Sequence, residues 1–395
     1  MKKPLIVQKF GGTSVGSIER IHTVAEHIIK AKNDGNQVVV VVSAMSGETN
    51  RLMELAKQVD SIPTARELDV LLSAGEQVSM ALLAMTLNKL GYAARSLTGA
   101  QANIVTDSQH NDATIKHIDT STIEALLEQN QIVIVAGFQG INDNGDITTL
   151  GRGGSDTSAV TLAGALSADE CQIFTDVDGV YTCDPRIVKS AQKLTVIDFP
   201  SMEEMARKGA KVLHLPSVQY AWKNNVPLRV LSTFNTDDGS LVKGEECQSD
   251  ICGLAIQRDM CLIKIEKEAL ASLKKQCQML GVAIWNVIEH AEWVGVVIKH
   301  EAYAKLELVF KHKIRNSESV SLLTAVGLQV EGLIERSYAL LTERGIEVEH
   351  YTLNVRSLML VLSPEYVDKA ANILHDAYIT SAQAVECQQK QAFLG

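Results

Sequence analysis

The chain has 395 residues. A single hydrophobic core stops growing at roughly 250–300 residues, so two or three domains are expected. Hydrophobic residues make up 46% of the sequence and charged residues 21%, which excludes a disordered or collagen-like chain. The net charge of −10 disfavours a general nucleic-acid binder, because phosphate binding needs a basic face.

The seven cysteines contain no C-x-x-C pair, the nearest two being Cys247 and Cys252. Reduced thiols in a cytoplasmic protein are therefore expected, rather than a disulfide scaffold or a zinc module. No signal-peptide core follows the N-terminus. The longest aliphatic runs, Val38–Val42 and Ile132–Ala136, fall far short of the ~20 residues of a membrane span. They suit buried parallel strands, so no membrane partner is predicted.

The first 235 residues alternate between short Val/Ile runs and stretches of helical period. A strand at Leu5–Lys9 leads to a predicted helix from Ile18 to Lys32, whose apolar face comprises Ile18, Ile21, Ala25, Ile28 and Ile29. The later elements are strand Val38–Val42, helix Thr122–Glu128, strand Ile132–Ala136, helix Ser155–Leu166 and strand Ile173–Thr175. This order predicts an α/β three-layer sandwich with a mainly parallel sheet, in which ligands bind beyond the carboxyl ends of the strands.

The composition changes near residue 235, where a polar segment, Asn235–Cys252, is typical of a linker. Beyond it, two stretches of about 65 residues each follow a β-α-β-β-α order. The first comprises Cys261–Ile265, Glu268–Leu280, Val282–Ile288, Val294–Lys299 and Tyr303–Phe310. The second comprises Val320–Val326, Glu331–Arg344, Ile346–Tyr351, Leu358–Leu362 and Glu365–Ala377. Two ferredoxin-like α+β units are therefore predicted after the parallel sheet.

The first glycine-rich turn, Lys9-Phe10-Gly11-Gly12-Thr13-Ser14, lies between a strand and a helix. Paired glycines let a phosphate approach the backbone, and a helix N-terminus favours an anion. Lys9 would add a positive charge. A simple turn remains the alternative on this motif alone.

The second glycine-rich turn, Gly151-Arg152-Gly153-Gly154-Ser155-Asp156, precedes a helix that Ser155 or Asp156 can cap. Three glycines around an arginine indicate a backbone shaped to approach an anion, and Arg152 can form paired hydrogen bonds to a carboxylate or phosphate. A flexible hairpin tip before a capped helix is the alternative.

Acidic residues follow a third strand in the run from Thr175 to Arg186, where Mg²⁺ or a ribose could bind. An Asp/Gly turn is the alternative. Glu76 lies in Ser73-Ala74-Gly75-Glu76-Gln77 at a predicted helix start, where a glutamate often serves only the helix terminus.

These segments occur in the order and spacing of the aspartokinases, a branch of the amino-acid kinase superfamily, and over residues 4–235 the chain resembles that family closely. The region beyond residue 250 is similar to the paired ACT regulatory domains of the same family. The resemblance implies transfer of a phosphoryl group from MgATP to the β-carboxylate of L-aspartate. It implies a domain division of 1–240 for the kinase, 241–252 for a linker, and 253–318 and 319–395 for two ACT-like units, which members of the family often interleave.

The resemblance also implies roles for the residues of the first glycine turn. Lys9, helped by Gly11, Gly12 and Ser14, would neutralise charge on the transferring phosphoryl group. Asp156 would organise the region of the magnesium and phosphates, without ligating the metal directly.

On the aspartate side, the resemblance implies that Arg152 clamps the substrate α-carboxylate and that Glu76 pairs with its ammonium group. Ser43, Thr49 and Ser155 would complete this pocket.

On the nucleotide side, the residues carried over by motif are Thr175, Asp176, Tyr181, Arg186 and Lys211. Self-association through the ACT-like units is also implied, as a homodimer or a larger assembly.

The tail departs from the family pattern where members that respond to lysine or threonine usually have a Pro-Gly turn before each ACT helix. Here those places read Ile265-Glu266-Lys267-Glu268 and Gly327-Leu328-Gln329-Val330-Glu331-Gly332. Feedback by an amino-acid effector is therefore expected to be weakened or altered. Two other functions stay open: another amino-acid kinase, acting on glutamate, acetylglutamate, carbamate or a nucleotide, and a non-catalytic amino-acid sensor.

Overall fold

The computed structural model describes residues 3–210, 212–235, 237–245 and 250–380, and the chain divides into two compact units. The first contains the chain up to Val180, then Leu194–Phe199 and Val212–Glu245. The second contains Tyr181–Lys193, the segment that begins at Pro200, and the C-terminal part of the chain. The two excursions into the second unit, near residues 181–193 and 200–210, were not predicted.

The described residues of the first unit form twelve strands. In chain order they are β1 (Leu5–Phe10), β2 (Gln37–Val42), β3 (Ala94–Leu97), β4 (Ile104–Thr106), β5 (Ile115–Ile118), β6 (Ile132–Ala136), β7 (Gln139–Ile141), β8 (Ile147–Thr149), β9 (Glu170–Thr175), β10 (Val196–Ile197), β11 (Leu228–Ser232) and β12 (Ser240–Val242). Eight of them form one sheet in the order β10-β12-β11-β9-β1-β2-β6-β3, and four form a second sheet in the order β5-β4-β7-β8.

The helices up to residue 245 follow the same alternation. They are α1 (Ile18–Asn33), α2 (Glu48–Val59), α3 (Ala65–Lys89), α4 (Ser121–Glu128), α5 (Gly154–Ala165), α6 (Phe199–Arg207) and α7 (Leu215–Lys223). Helix α6 begins in the first unit and continues into the second.

The centre of the large sheet is parallel, with β1 paired to β2 and β9, and β2 paired to β6. The valine run of β2 is completely buried, as expected for a strand covered on both faces. Only β12 runs antiparallel to a neighbour, β11. The predicted three-layer sandwich with a mainly parallel sheet is confirmed.

Helix α1 begins after Ser17, whose hydroxyl accepts a hydrogen bond from the Arg20 backbone N–H at 3.3 Å. Its buried residues are Ile21, Val24, Ala25, Ile28 and Ala31. Ile18, predicted to lie on the core face, is instead 49% exposed. As the first residue of the helix it lies on the turn that leads in from the glycine loop.

Helix α3 is long and apolar enough to cross a membrane by length and composition alone, but 56% of its most apolar window is buried inside the protein. Leu83 and Leu87 pack in the core of the first unit. Polar residues of the same helix are also buried, among them Asp69, Ser73 and Glu76. Their spacing of four and three residues places them on one face of the helix.

The second unit is an antiparallel sheet with helices. Its elements are β13 (Ile251–Ile265), α8 (Leu270–Met279), β14 (Ile284–Glu289), β15 (Val294–Lys299), α9 (His300–Phe310), β16 (Ile314–Gly327), α10 (Leu333–Thr342), β17 (His350–Asn354), β18 (Ser357–Leu362) and α11 (Val367–His375). The strand order is β14-β15-β13-β16-β18-β17. The predicted pair of ferredoxin-like α+β sets is confirmed as a fold.

The two sets share their long central strands. The first part of β13 pairs with the last part of β16, and the register shifts between Gln257 and Met260, next to Asp259 with a φ of +58°. Strand β17 begins at His350, four residues later than predicted, and β12 and the start of β13 fall within the stretch expected to be a linker. The boundary placed between residues 318 and 319 lies inside β16, so the exact division into ACT-like units stays a prediction.

Candidate active site

A cavity of about 470 Å³ opens at the carboxyl ends of β1 and β2, within the first unit. Its wall is formed by both glycine turns, the loop after β2, and one face of α3. The lining residues are Lys9, Gly12, Thr13, Ser43, Ala44, Met45, Ser46, Gly47, Thr49, Glu76, Phe138, Gly151, Arg152, Gly153, Gly154, Ser155 and Asp156. This is where ligands bind in open parallel sheets.

Lys9 and Asp156 form an ion pair across the cavity, with 2.6 Å between Lys9 Nζ and the nearer Asp156 carboxylate oxygen. Both side chains are largely buried. Lys9 is the penultimate residue of β1, and Asp156 lies in the first turn of α5. The pair places a cation and an anion where the two glycine turns meet.

The first glycine turn packs closely against the loop after β2. A Cβ added to Gly12 would lie 2.9 Å from the carbonyl oxygen of Ala44, so a side chain there cannot be accommodated without a backbone shift. The Gly11 N–H points to Phe174 O, at 3.4 Å. Ser14 is fully buried, and its hydroxyl bonds to that of Thr233 at 2.6 Å. Lys9 and Gly12 thus line the cavity, whereas Ser14 holds the turn from behind.

The second glycine turn requires left-handed backbone at two positions, Gly151 with a φ of +71° and Gly153 with a φ of +75°. Gly153 is the N-cap residue of α5 and makes no side-chain cap bond. The expectation that Ser155 or Asp156 caps this helix is therefore wrong. Both lie inside its first turn, where a carboxylate benefits from the helix N-terminus and where Asp156 pairs with Lys9 instead.

Arg152 is exposed at the mouth of the cavity and forms no ion pair with any residue in the described part of the chain. Its guanidinium is therefore available for a ligand anion. Ser43, Thr49 and Ser155 line the same cavity, so the structure brings together all the residues predicted for the substrate side.

Glu76 lies in the middle of α3 and not at a helix start, so that expectation is wrong. Gly75 beside it lets the helix approach the β2–α2 loop, since a Cβ at this position would lie 2.8 Å from that of Ala44. The Ala44 backbone N–H donates to Glu76 Oε1 at 3.0 Å, and Oε2 receives no hydrogen bond from the described residues. Burial raises the pKa of Glu76 to about 7.

The comparison with known proteins agrees with this geometry. The amino acid kinase family model matches residues 4–232. The chain is 43% identical to the aspartate kinase of Pseudomonas putida, over 96% of this chain and 98% of that protein. It is 41% identical to the aspartokinase of Geobacillus stearothermophilus, with the same coverage. The chain belongs to the aspartokinases of the amino acid kinase family.

The fold is also similar to that of E. coli aspartokinase III, crystallised in complex with aspartate and ADP. The TM-score is 0.78 at 22% identity, over 94% of this chain and 99% of that one. At this identity the likeness concerns the fold, and it extends through both units of the present aspartokinase.

The residues predicted for the nucleotide side of this aspartokinase belong to both units. Thr175 is the last residue of β9 in the first unit, and its hydroxyl donates to Oδ1 of the following Asp176 at 3.0 Å. Tyr181 and Arg186 belong to the second unit, and Arg186 is paired with Asp184 at 2.7 Å. Lys211 lies outside the described residues. The nucleotide roles of all five stay predictions.

Sequence reasoning missed three residues that support the second glycine turn. A Cβ on Gly153 would lie 2.4 Å from the ring of His214, and one on Gly154 would lie 2.9 Å from the Phe138 ring. Asp69 is fully buried in α3 behind the turn. The sequence did contain a signal for Asp69, because it lies seven positions before Glu76 and therefore on the same face of a helix. The other two contacts arise only from the tertiary fold.

The described part of this aspartokinase contains no cluster of three or more His, Cys, Asp or Glu side chains able to hold a metal ion. The five described cysteines are buried, and burial raises the pKa of the Cys183 thiol to about 12. They act as small core side chains rather than nucleophiles.

Proposed function

We propose that this chain is an aspartate kinase that transfers the γ-phosphoryl group of ATP to the β-carboxylate of L-aspartate, giving 4-phospho-L-aspartate and ADP. The observation that carries the proposal is a single cavity in which the Lys9–Asp156 pair, Arg152 and Glu76 meet. These side chains match the charges of the two substrates. Lys9 provides a cation for the phosphoryl group, Arg152 a guanidinium for a carboxylate, and Glu76 a buried carboxylate for an ammonium group.

The reaction requires positioning and charge neutralisation more than acid–base chemistry. The substrate carboxylate is already a nucleophile, so no strong general base is needed. The barrier lies in bringing two anions together in line. In the proposal, Lys9 neutralises the transferring group and Arg152 holds the α-carboxylate through paired hydrogen bonds.

The residues present also fit MgATP as the second substrate. Mg²⁺ keeps several waters and is usually held through one or two carboxylates together with substrate phosphates. Asp156, partly buried at the start of α5, would organise that hydrated ion through water. Thr175, Asp176, Tyr181, Arg186 and Lys211 would line the nucleotide site.

The remaining assignments concern the whole protein. We propose residues 1–240 as the kinase domain, 241–252 as a linker, and 253–318 and 319–395 as two ACT-like units through which two copies pair. The product would enter lysine, threonine or methionine biosynthesis in the cytoplasm. The tail, which lacks the usual Pro-Gly turns, would respond weakly or differently to amino-acid effectors.

The test is aspartate-dependent formation of an acyl phosphate with MgATP, trapped as the hydroxamate, with and without lysine and threonine. ADP release is measured in parallel with glutamate, acetylglutamate, carbamate and nucleotides as acceptors. A reaction without acceptor controls for simple ATP hydrolysis.

Turnover that depends on aspartate supports the proposal and excludes a sensor without catalytic activity. A clear preference for another acceptor would replace aspartate by that substrate. Suppression by lysine or threonine would contradict the expected weakening of feedback, whereas insensitivity to both would support it.

A further inference from the structure

Asp69 is a buried carboxylate that the proposed chemistry does not use. It is fully buried within α3, seven residues before Glu76 and on the same face. At 1.5 Å per residue, the two carboxylates lie about 10 Å apart along the helix. An ionisable group in this position is costly unless it is well hydrogen-bonded.

The hydrogen bonds of Asp69 connect three segments of the first unit. His110 Nδ1 lies 2.6 Å from Oδ2, and the Asn111 backbone N–H lies 3.1 and 3.2 Å from the two oxygens. The Thr149 hydroxyl, at the end of β8, donates to Oδ1 at 2.5 Å. Asp69 therefore fastens the loop around residue 111 to both α3 and β8.

That loop lies directly against the second glycine turn. A Cβ added to Gly151 would lie 2.8 Å from Asp112 Oδ1 and 3.3 Å from Asn111 O. The Ala113 N–H donates to Thr149 O at 2.9 Å, which ties the other end of the loop to β8. The turn that carries Arg152 thus rests on a segment whose position depends on Asp69.

We propose that Asp69 is a positioning residue for the substrate clamp: by holding residues 110–112 against Gly151, it sets where Arg152 presents its guanidinium. This rests on the proposed function, in which Arg152 binds the α-carboxylate of aspartate. The first glycine turn has its own supports, and Asp156 is held in the first turn of α5 by its pair with Lys9, so the effect falls on the acceptor side of the site. Helix α3 then places two elements of the acceptor pocket at once, Glu76 directly and Arg152 through the loop.

The matched experiment uses two buried threonines of the same four-stranded sheet. Thr149→Val removes a hydroxyl that donates to Asp69, whereas Thr106→Val removes one that bonds to Thr148 at 2.6 Å and does not contact Asp69. Both side chains are essentially fully buried, so both variants lose a buried hydrogen bond. Only Thr149→Val should raise the KM for aspartate, by about fivefold, with the KM for ATP within about twofold of wild type.

Asp69→Asn should raise the KM for aspartate further, by about tenfold or more, because an amide cannot accept all these donors. Hydrogen exchange over residues 150–154 provides a readout that is independent of activity. Faster exchange there in Thr149→Val but not in Thr106→Val supports the positioning role. If wild type shows no aspartate turnover, the proposed function fails while the exchange result still decides the positioning role.

Equal effects of Thr149→Val and Thr106→Val on the aspartate KM would overturn the inference, as would a parallel rise in the KM for ATP. Unchanged exchange over residues 150–154 in Thr149→Val would do the same. If Asp69→Asn does not fold, the threonine pair decides the question alone.

Discussion

The two glycine turns of the site perform related tasks but are supported in different ways. The turn at residues 9–14 is supported by residues that directly follow strands of the large sheet: Gly12 lies against Ala44, just after β2, and Ser14 is bonded to Thr233, just after β11. The turn at residues 151–156 is supported by residues outside the strands of the large sheet, including Asp112 and His214. The first turn is therefore held at the strand ends of the large sheet, and the second by loops between other elements.

This difference suggests a division of labour. Phosphoryl transfer from ATP is common to many kinases, and a turn built into the central sheet suits that constant task. Selection of the acceptor differs between enzymes, and a turn supported by its own set of loops can be adjusted without disturbing the first. Substitutions at the two turns should accordingly affect different kinetic parameters.

The largest effect is expected from Lys9→Ala. Removing one charge-stabilising group from a transition state typically costs about 10²–10³ in rate, and here it also leaves Asp156 without its partner. The measurement is kcat for aspartate-dependent acyl phosphate formation. Lys57→Ala, which removes an exposed lysine that pairs with Glu54, is the control. A kcat for Lys9→Ala within tenfold of wild type would exclude the proposed role.

Arg152→Ala should act mainly on the KM for aspartate, which we expect to rise about 10- to 100-fold through loss of charge-assisted hydrogen bonds. The KM for ATP should change little. Arg152→Lys retains the charge but not the planar fork, so it should recover only part of the affinity. An unchanged KM for aspartate in Arg152→Ala, with full turnover, would contradict the clamp role.

Gly153→Ala tests the loop-supported turn directly. The added Cβ would lie 2.4 Å from the His214 ring, and the alanine would have to adopt the φ of +75° of this position. Gly145→Ala is a matched control, because its φ is +85° but no atom lies within 4 Å of the added Cβ. Overpacking typically costs ~1–3 kcal/mol, so we expect about a tenfold loss of kcat/KM for aspartate in Gly153→Ala alone.

His214→Ala in the Gly153→Ala background should restore part of that loss by making room for the methyl group. No recovery in the double variant would place the defect in backbone strain rather than in the contact with His214.

The fold and the composition of the site follow from local sequence patterns, but the supports of the site do not. The valine run of β2 and the glycines after β1 each indicate a strand end, and parallel strand ends converge. Glu76 is predicted at a helix start but lies in the middle of α3, where the neighbouring Gly75 permits close packing of the helix on Ala44. The contacts of His214 and Asp112 join residues far apart in sequence, which no local pattern encodes.

The smallest effect, and the one that separates the acceptor pocket from the rest, concerns Glu76 and pH. Burial raises its pKa to about 7, so below that pH the carboxyl group is neutral and cannot pair with the substrate ammonium. The KM for aspartate should therefore rise as the pH falls from 8 to 6, approaching tenfold per unit at the acid end. Glu76→Gln should have a high KM for aspartate at all pH values, so the pH dependence should disappear in this variant.

Glu48→Gln is the control, because hydrogen bonding to Arg51 lowers the pKa of Glu48 and Glu48 does not line the cavity.

The stability of the protein should change with pH in the opposite direction to its affinity for aspartate. Between about pH 4.5 and 7, Glu76 is ionised in the unfolded chain but neutral in the folded protein. The free energy of unfolding of wild type therefore decreases as the pH rises through this range. At pH 8, Glu76→Gln should be more stable than wild type by on the order of 3 kcal/mol, measured by denaturant unfolding. A KM for aspartate that stays constant from pH 6 to 8 in wild type would show that Glu76 does not bind the substrate ammonium. A Glu76→Gln variant that gains stability but keeps the wild-type KM for aspartate would show that Glu76 is not buried in order to bind aspartate.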